Sequence, residues 1–523
     1  MAITYKYGID FGTTNSSIAL HYDVGNNGVM ENCVFKVDQN LISKELLPSM
    51  VYIDAMGETC VGTRGKNKYA SDDLPKDLKH LDKKVKLKLD EFKDDVVVVK
   101  FAGRSYKVSD IIALIIKELK AKADKEHTVK TNGIVFGVPV NYNDSCKRVM
   151  LEATVKAKLY KNLKEAEEAV DFLDEPIAVA LDYGLNLNSD KNVFVFDFGG
   201  GTLDLAIVRL VKSDDEKGRH EVIGKHRITL GGEQYTELFF KKAFIPKYGR
   251  MNLIQAFGYD HTLSVDELWE RLGNDSLGVQ FIDALDKAKC ELSYEDDNIF
   301  SWAEADANRF VKINCELTRS ELEKSISDSF NDIRIAIQTC LSEAHITSGN
   351  IDEVLMAGGS SLIPAIIGVV KSVFGDKKVR NPSNNALTSI VKGLAVKGYQ
   401  EDGNEWVDDI VGSTYGLWIE HEQRIEPIIK KNTRVEDTHF DRENVTGGKS
   451  LDVRSINDKI PEVMVYQNNE KIGQFSLPHK GSGYFRIYYE IDKKHGWLIV
   501  HIFDRKTLQW YDDILEHNVI QIK

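Results

Sequence analysis

A chain of 523 residues is too long for one hydrophobic core and points to three or four folding units at roughly 150 residues each. Its apolar fraction of 42% and charged fraction of 28% are those of an ordinary globular protein, and a net charge of −13 argues against a general nucleic-acid binder, which needs a basic face. The six cysteines are scattered with no CxxC pair, and no apolar run near the N-terminus reads as a leader or span, so a cytoplasmic protein with reduced thiols is expected rather than a disulfide or zinc frame.

Strand-like alternation opens the chain at 5–11 and resumes at 17–22, 34–37 and 49–53. A charge-dense stretch, KDLKHLDKKVKLKLDEFKDD, runs from Lys76 to Asp95, and valines 96–99 read as a strand. Ser109 is expected to cap an amphipathic helix with Ile111, Ile112, Ile115, Ile116 and Leu119 on its apolar side. Ile134–Val138 reads as a buried strand ended by Pro139, helices follow over about 144–158 and 164–169, and a strand near 170–173 meets Asp174-Glu175-Pro176, which opens a helix to Gly184. The segment KNVFVFDFGGGTLDLAIVRL (191–210) then copies the opening: an apolar strand, a terminal aspartate, glycines, a threonine and a second apolar strand, with Asp197 standing 187 positions after Asp10.

Long helices are expected to dominate 230–345, and a third glycine site, VLMAGGSSLIPAI (354–366), again follows a strand and precedes a helix. Two similar halves that mix sheet and helix predict a two-lobed α/β protein with a cleft between the lobes. After about Gln400 the texture turns polar, as in a linker, and 413–523 reads as all-β, with strands at Glu462–Gln467, Gln474–Leu477, Tyr484–Ile491 and Trp497–Phe503. Lys493–Gly496 is expected to be a hairpin loop between the last two strands.

The repeated Asp-Gly turn carries the chemistry. A phosphate chain with a divalent cation needs glycines that let backbone N–H groups approach, hydroxyls for phosphate oxygens and carboxylates for the hydrated ion. Asp10 with Gly12, Thr13, Thr14 and Asn15, and Asp197 with Gly199, Gly200, Gly201 and Thr202, supply this twice. One copy is equally well a tight hairpin; two copies in the same order are much harder to dismiss. Gly358-Gly359-Ser360 and Gly231-Gly232-Glu233 are weak signals alone. Thr446-Gly447-Gly448-Lys449-Ser450 imitates a phosphate loop, but Glu443 occupies the place of its first glycine.

Together these segments resemble the two phosphate motifs and the adenosine motif of the actin-like ATPase superfamily. GIDFGTTNS, FGVPVNYNDS, LDEPIAVALDYG and ITLGGEQY are similar to the 70-kDa heat-shock chaperone family in particular, in order from residue 7 to about 400, and GSTYGLWIE and KIGQFSLP look like pieces of its β-sandwich substrate-binding domain. The resemblance implies an actin-like ATPase domain over 1–400 (lobes of about 1–185 and 190–375), a linker over 401–412 and a β-sandwich domain over 413–523. It implies ATP or ADP with Mg²⁺ between the lobes, Asp10 and Asp197 holding the ion largely through water, and Thr13, Thr14 and Thr202 at the phosphates. Glu175 matches the acid that orients or activates the attacking water. Gly231, Gly232 and Glu233 match a phosphate-facing turn, and Asp286, Lys289 and Ser293 match the adenosine helix, joined by Gly358, Gly359 and Ser360. Pro139 and Lys147 match residues that couple the lobes to the second domain.

Departures are concrete. The family's catalytic lysine falls in the blurred run LDKKVKLKLD, where counting from Pro75 favours Lys83 and leaves Lys84 and Lys86 open. Leu362 stands where many members have an adenine-stacking arginine, and the linker Trp406-Val407-Asp408-Asp409-Ile410-Val411 carries two acids where an apolar run is usual, so docking it would bury charge. No helical segment is expected after the strands, which makes this a short member without the family's helical lid. The implied function is an ATP-driven chaperone of unfolded, extended apolar peptides, working with a J-domain protein and a nucleotide exchange factor. The alternative is an ATP-dependent sensor or scaffold whose β-domain binds one dedicated partner; a sugar or acetate kinase fits the LDEP motif and the trailing β-domain less well.

Overall fold

The computed structural model describes residues 4–23, 30–39, 43–72, 74–101, 103–140, 142–184, 189–212, 220–306, 309–380, 384–400, 407–419, 423–440, 450–454, 462–477, 484–492 and 494–511. The expectations placed on Trp406, on Thr446–Lys449 and on Lys493 lie outside the described residues.

Thr4–Phe11 runs between a parallel partner, Gly133–Val138, and an antiparallel one, Asn15–Asp23. Val170–Asp174 extends this first sheet on one side and Met30–Val34 on the other. The register sets Asp10 opposite Gly137 and Ser17, so the turn after Phe11 emerges where the parallel strands end. Gly133–Val138 is buried along its whole length, as a strand covered on both faces must be. One cover is the helix Val108–Glu126, whose Ile111, Ile112, Ile115, Ile116 and Leu119 point inward. Ser109 is not its cap: the helix begins at Val108, and both the N–H and the hydroxyl of Ser109 donate to Asp95 at 2.8 Å. The expected strand at 34–37 is also displaced, to Met30–Val34.

The second sheet repeats the plan. Lys191–Phe198 lies between parallel Glu353–Ala357 and antiparallel Leu203–Leu210, which sets Asp197 opposite Ala357 and Asp204. His220–Ile228 follows, and Val407–Asp408 from the expected linker adds a short parallel edge strand to it. This half has its own apolar core, centred on Phe194, Phe196, Phe198, Phe240, Phe244 and Phe281. The stretch 230–345 is not all helical. Asp297–Ala305 and Phe310–Thr318 form an antiparallel hairpin with one face buried and one exposed, a period-two pattern embedded among helices.

Beyond residue 412 two antiparallel four-stranded sheets close on one core. The first orders Arg424–Ile429, Tyr415–Ile419, Glu462–Gln467 and Glu470–Ser476; the second orders Ser450–Arg454, Tyr484–Ile491, Leu498–Asp504 and Gln509–Tyr511. Leu417, Val465, Phe485, Ile487, Val500 and Ile502 fill the space between them. A single 3₁₀ turn at Val435–Thr438 is the helical element of this region among the described residues. The molecule is thus mixed α/β, and no described helix is long and apolar enough to cross a membrane.

Candidate active site

The two Asp-bearing turns meet. A Cβ on Gly200 would come within 2.4 Å of Thr14 Oγ1, so only a glycine lets the second sheet's turn lie against the first. Gly358 closes the floor with φ +77°, its Cα so near the backbone that a Cβ would sit 2.4 Å from the Phe198 carbonyl oxygen. Between them lies a cavity of about 310 Å³.

Its lining contains most of the residues singled out from sequence. Asp10, Gly12, Thr13, Thr14 and Asn15 come from the first sheet, and Asp197, Gly199, Gly200, Gly201 and Thr202 from the second. Glu175 enters from the start of the helix Glu175–Gly184, while Gly232, Glu233, Asp286, Lys289, Ser293, Gly358, Gly359 and Ser360 line the opposite side. Gly231 does not line it: this residue packs behind the turn, where a Cβ would strike the Gly200 carbonyl oxygen at 2.3 Å.

Lys83 does not line it either. Its ammonium turns to Asp283 at 3.0 Å, and that of Lys84 lies 3.8 Å from Glu233. Of the three candidate lysines the one that lines the cavity is Lys86, which donates to Glu175 Oε1 at 2.7 Å. The cause is helix phase. Val85–Phe92 forms a helix whose buried residues are Val85, Lys86 and Leu89, so Lys86 follows the inward face while Lys83 and Lys84 precede the first turn. Counting from Pro75 carries no phase; the i, i+4 pair Val85 and Leu89 does. Sequence reasoning also passed over Cys290, Tyr294, Leu387 and Ile390, which line the cavity as well.

The electrostatics are those of crowded, buried carboxylates around one ammonium. Burial and the neighbouring Glu175 push Asp10 up to about 7 against the pull of Lys86. Burial, Glu175, Asp204 and Asp10 together push Asp197 well above the ordinary carboxylate range. Lys86 is held charged: burial opposes its ionisation, but Glu175 and Asp10 outweigh that and raise it. Asp204, buried behind the turn, accepts the Thr202 hydroxyl at 2.6 Å and the Val140 N–H, just after Pro139, at 2.8 Å. On the far wall Lys289 spends its three hydrogens on the Gly232 carbonyl (2.8 Å), Thr236 Oγ1 (2.8 Å) and Asp286 Oδ1 (2.6 Å). The arrangement suits a polyanion that arrives with its own cation, because repelling carboxylates need positive charge. Among the described residues no three His, Cys, Asp or Glu side chains converge as a metal cage.

The C-terminal strands touch this half of the molecule. Lys147 Nζ donates to the His495 carbonyl oxygen at 2.8 Å, and Lys494 Nζ to the carbonyls of Glu167 and Glu168 at 2.6 Å each. Asp409, in the stretch expected to be a linker, is 2.6 Å from the buried Lys225 ammonium, which also holds Asp174 at 2.8 Å. Compared with models of known families, residues 6–481 match the one described as Hsp70 protein.

Proposed function

The chain belongs to the Hsp70 protein family, in which ATP hydrolysis serving chaperone action is general, and on that premise we propose that it is an ATP-dependent molecular chaperone of the 70-kDa heat-shock type. ATP binds in the cavity and is hydrolysed slowly to ADP and phosphate, and the nucleotide state sets how residues 413–523 hold unfolded, extended apolar peptides. Residues 1–400 are then an actin-like nucleotide-binding domain with lobes of about 1–185 and 190–375, joined through a 401–412 linker to a β-sandwich substrate-binding domain. The protein works in the cytoplasm with a J-domain protein and a nucleotide exchange factor.

One observation carries the reading. Two glycine turns from separate sheets, each led by a strand-borne aspartate, face one cavity that also contains the buried Lys86–Glu175 pair. Phosphoryl transfer to water asks for positioning and charge neutralisation more than covalent chemistry. Thr13, Thr14 and the turns' remaining N–H groups hold phosphate oxygens, and Thr202, whose hydroxyl hydrogen goes to Asp204, offers the attacking water an acceptor lone pair, while Asp286, Ser293, Gly358, Gly359 and Ser360 face the nucleoside. Lys289, its hydrogens already committed, fixes Asp286 and the Gly232 turn. Glu175 orients a water and takes its proton as the water oxygen bonds to the γ-phosphorus and the bridging P–O bond breaks toward ADP. Lys86, not Lys83, offsets the charge on the γ-phosphate and aims the Glu175 carboxylate. Asp10 and Asp197 hold a hydrated Mg²⁺, which when bound neutralises the phosphate chain.

The acid Asp409 has a partner in this scheme, the buried Lys225 ammonium. Single-turnover hydrolysis of ATP, with and without a generic unfolded peptide, tests the whole. Hydrolysis whose rate responds to bound peptide supports the chaperone. Hydrolysis with no peptide binding favours a sensor whose β-domain takes one dedicated partner, and no hydrolysis refutes the ATPase.

A further inference from the structure

We infer that Arg227 is a positioning residue for hydrolysis: across the cavity's wall it clamps the helix that carries Lys86 and so fixes where the Lys86 ammonium stands. The inference rests on the ATPase reading of the cavity.

The helix Val85–Phe92 is eight residues long and has no side-chain cap at its N-terminus. A helix this short is marginal by itself and takes its position from what it touches. Val85 and Leu89 anchor it in the first sheet's core. Its other side reaches the second sheet at two points. Leu87 lies so close to the turn that a Cβ on Gly201 would meet its Cδ2 at 2.6 Å. Asp90 Oδ2 accepts from Arg227 Nη2 at 2.6 Å.

Asp90 stands four residues after Lys86, on the same stripe of the helix one turn along. Arg227 therefore pulls on the stripe that faces Glu175. It is mostly buried in the strand His220–Ile228 and is paired in register with Asp204. Its Nε lies 3.8 Å from Asp204 Oδ1 and has no hydrogen-bond partner among the described residues, so the guanidinium serves Asp204 as a buried counter-charge and Asp90 as a hydrogen-bond donor. Asp204 in turn accepts the Thr202 hydroxyl. One side chain thus reaches both jaws of the cavity, Lys86 through Asp90 and Thr202 through Asp204. An ammonium displaced by an ångström no longer meets the charge that develops on the γ-phosphate.

The test compares Arg227→Gln, Arg227→Lys, Asp90→Asn and the Gln/Asn double variant in the full chain, measuring single-turnover ATP hydrolysis at saturating Mg-ATP, ATP affinity and thermal midpoint. Arg227→Gln and Asp90→Asn are each expected to slow hydrolysis about tenfold or more, with affinity changed less than about threefold. Arg227→Lys recovers part of the loss, and the double variant is no slower than the worse single one, because the contact that Asp90→Asn removes is one of the two that Arg227→Gln already removes. Wild-type rates in Arg227→Gln and Asp90→Asn, or losses that simply multiply in the double variant, overturn the clamp. If Arg227→Gln does not fold, Asp90→Asn, whose side chain is partly exposed, decides alone. If the wild type binds ATP without hydrolysing it, the function reading falls instead. The clamp is then read from amide exchange of residues 85–92 with Mg-ADP, which must be faster in Asp90→Asn than in wild type; equal exchange rejects it.

Discussion

The Lys86 ammonium stands 2.7 Å from Glu175 Oε1, and both side chains are nine-tenths buried. A buried ion pair is a poor stability device, since desolvation consumes most of the attraction, and this one also faces Asp10. On the proposed reading its value lies in poise: it holds a cation beside a carboxylate where phosphate charge would develop. Lys86→Ala is therefore expected to lower the single-turnover rate of ATP hydrolysis by about 10²–10³-fold. Lys83→Ala loses only the partly exposed pair with Asp283 and should stay within about threefold of wild type. The reverse order of effects would return the catalytic assignment to Lys83.

Thr202 offers a finer test, because its hydroxyl is oriented by Asp204 at 2.6 Å rather than left free to rotate. Thr202→Ser keeps a hydroxyl on the same backbone and should retain most of the turnover. Thr202→Ala and Asp10→Asn should abolish it, as should chelation of Mg²⁺ by excess EDTA with recovery on adding the ion back. Turnover unchanged in both Thr202→Ala and Asp10→Asn would remove the reaction from this cavity.

What the sequence made legible was whatever depended on order along the chain. The duplicated strand, aspartate, glycine and threonine pattern could be read directly, and in the folded chain Asp10 and Asp197 line one cavity. Lys86 was blurred because three lysines within four residues look alike until helix phase separates them. The hairpin 297–318 hid among helices because one exposed face breaks its apolar run into short pieces. Arg227–Asp90 and Lys225–Asp409 were out of reach for a plainer reason: partners 137 and 184 positions apart have no local signature.

The second of those pairs makes its own prediction. Lys225 is almost wholly buried and is shared by Asp174, just before Glu175, and Asp409 of the linker. Lys225→Met would leave Asp174 and the partly exposed Asp409 without their shared cation, which destabilises their pairing by less than the loss of a fully buried ion pair would. The linker segment 407–411 should then leave the edge of the His220–Ile228 strand, seen as faster amide exchange there. Any effect of peptide on hydrolysis should be lost with it. Asp409→Asn removes the repulsion as well as the attraction and should release the linker less. Unchanged exchange in Lys225→Met would show that the Val407–Asp408 pairing holds without the ions.

Proton linkage is expected where the C-terminal strands meet the helix Asp144–Lys156. Asp144 is buried beneath the Lys494–Gly496 loop with the Lys147 ammonium 3.8 Å away, and Lys147 also donates to the His495 carbonyl. Burial pushes the Asp144 carboxyl up to about 6, against the pull of Lys147. An exposed aspartate titrates near 3.9, so the docked form binds the proton more tightly than the released one. The contribution to docking is therefore full below pH ~4 and is lost as pH rises through about 6. Above that, holding the ionised group weakens docking. Asp492 adds nothing to this linkage: burial opposes its charge, but the bond from His495 that holds its carboxyl below the usual range lies within the loop and is the same docked or released. Trp497 stacks on His495 at 4.5 Å and packs against the first sheet's core, which makes its fluorescence a reporter of docking once a Trp497→Phe spectrum is subtracted. Acidification from pH 7 to 5 should tighten docking in the wild type, and Asp144→Asn should be tight already at pH 7 and flat across that range. A pH response that survives unchanged in Asp144→Asn would locate the linked proton on another group.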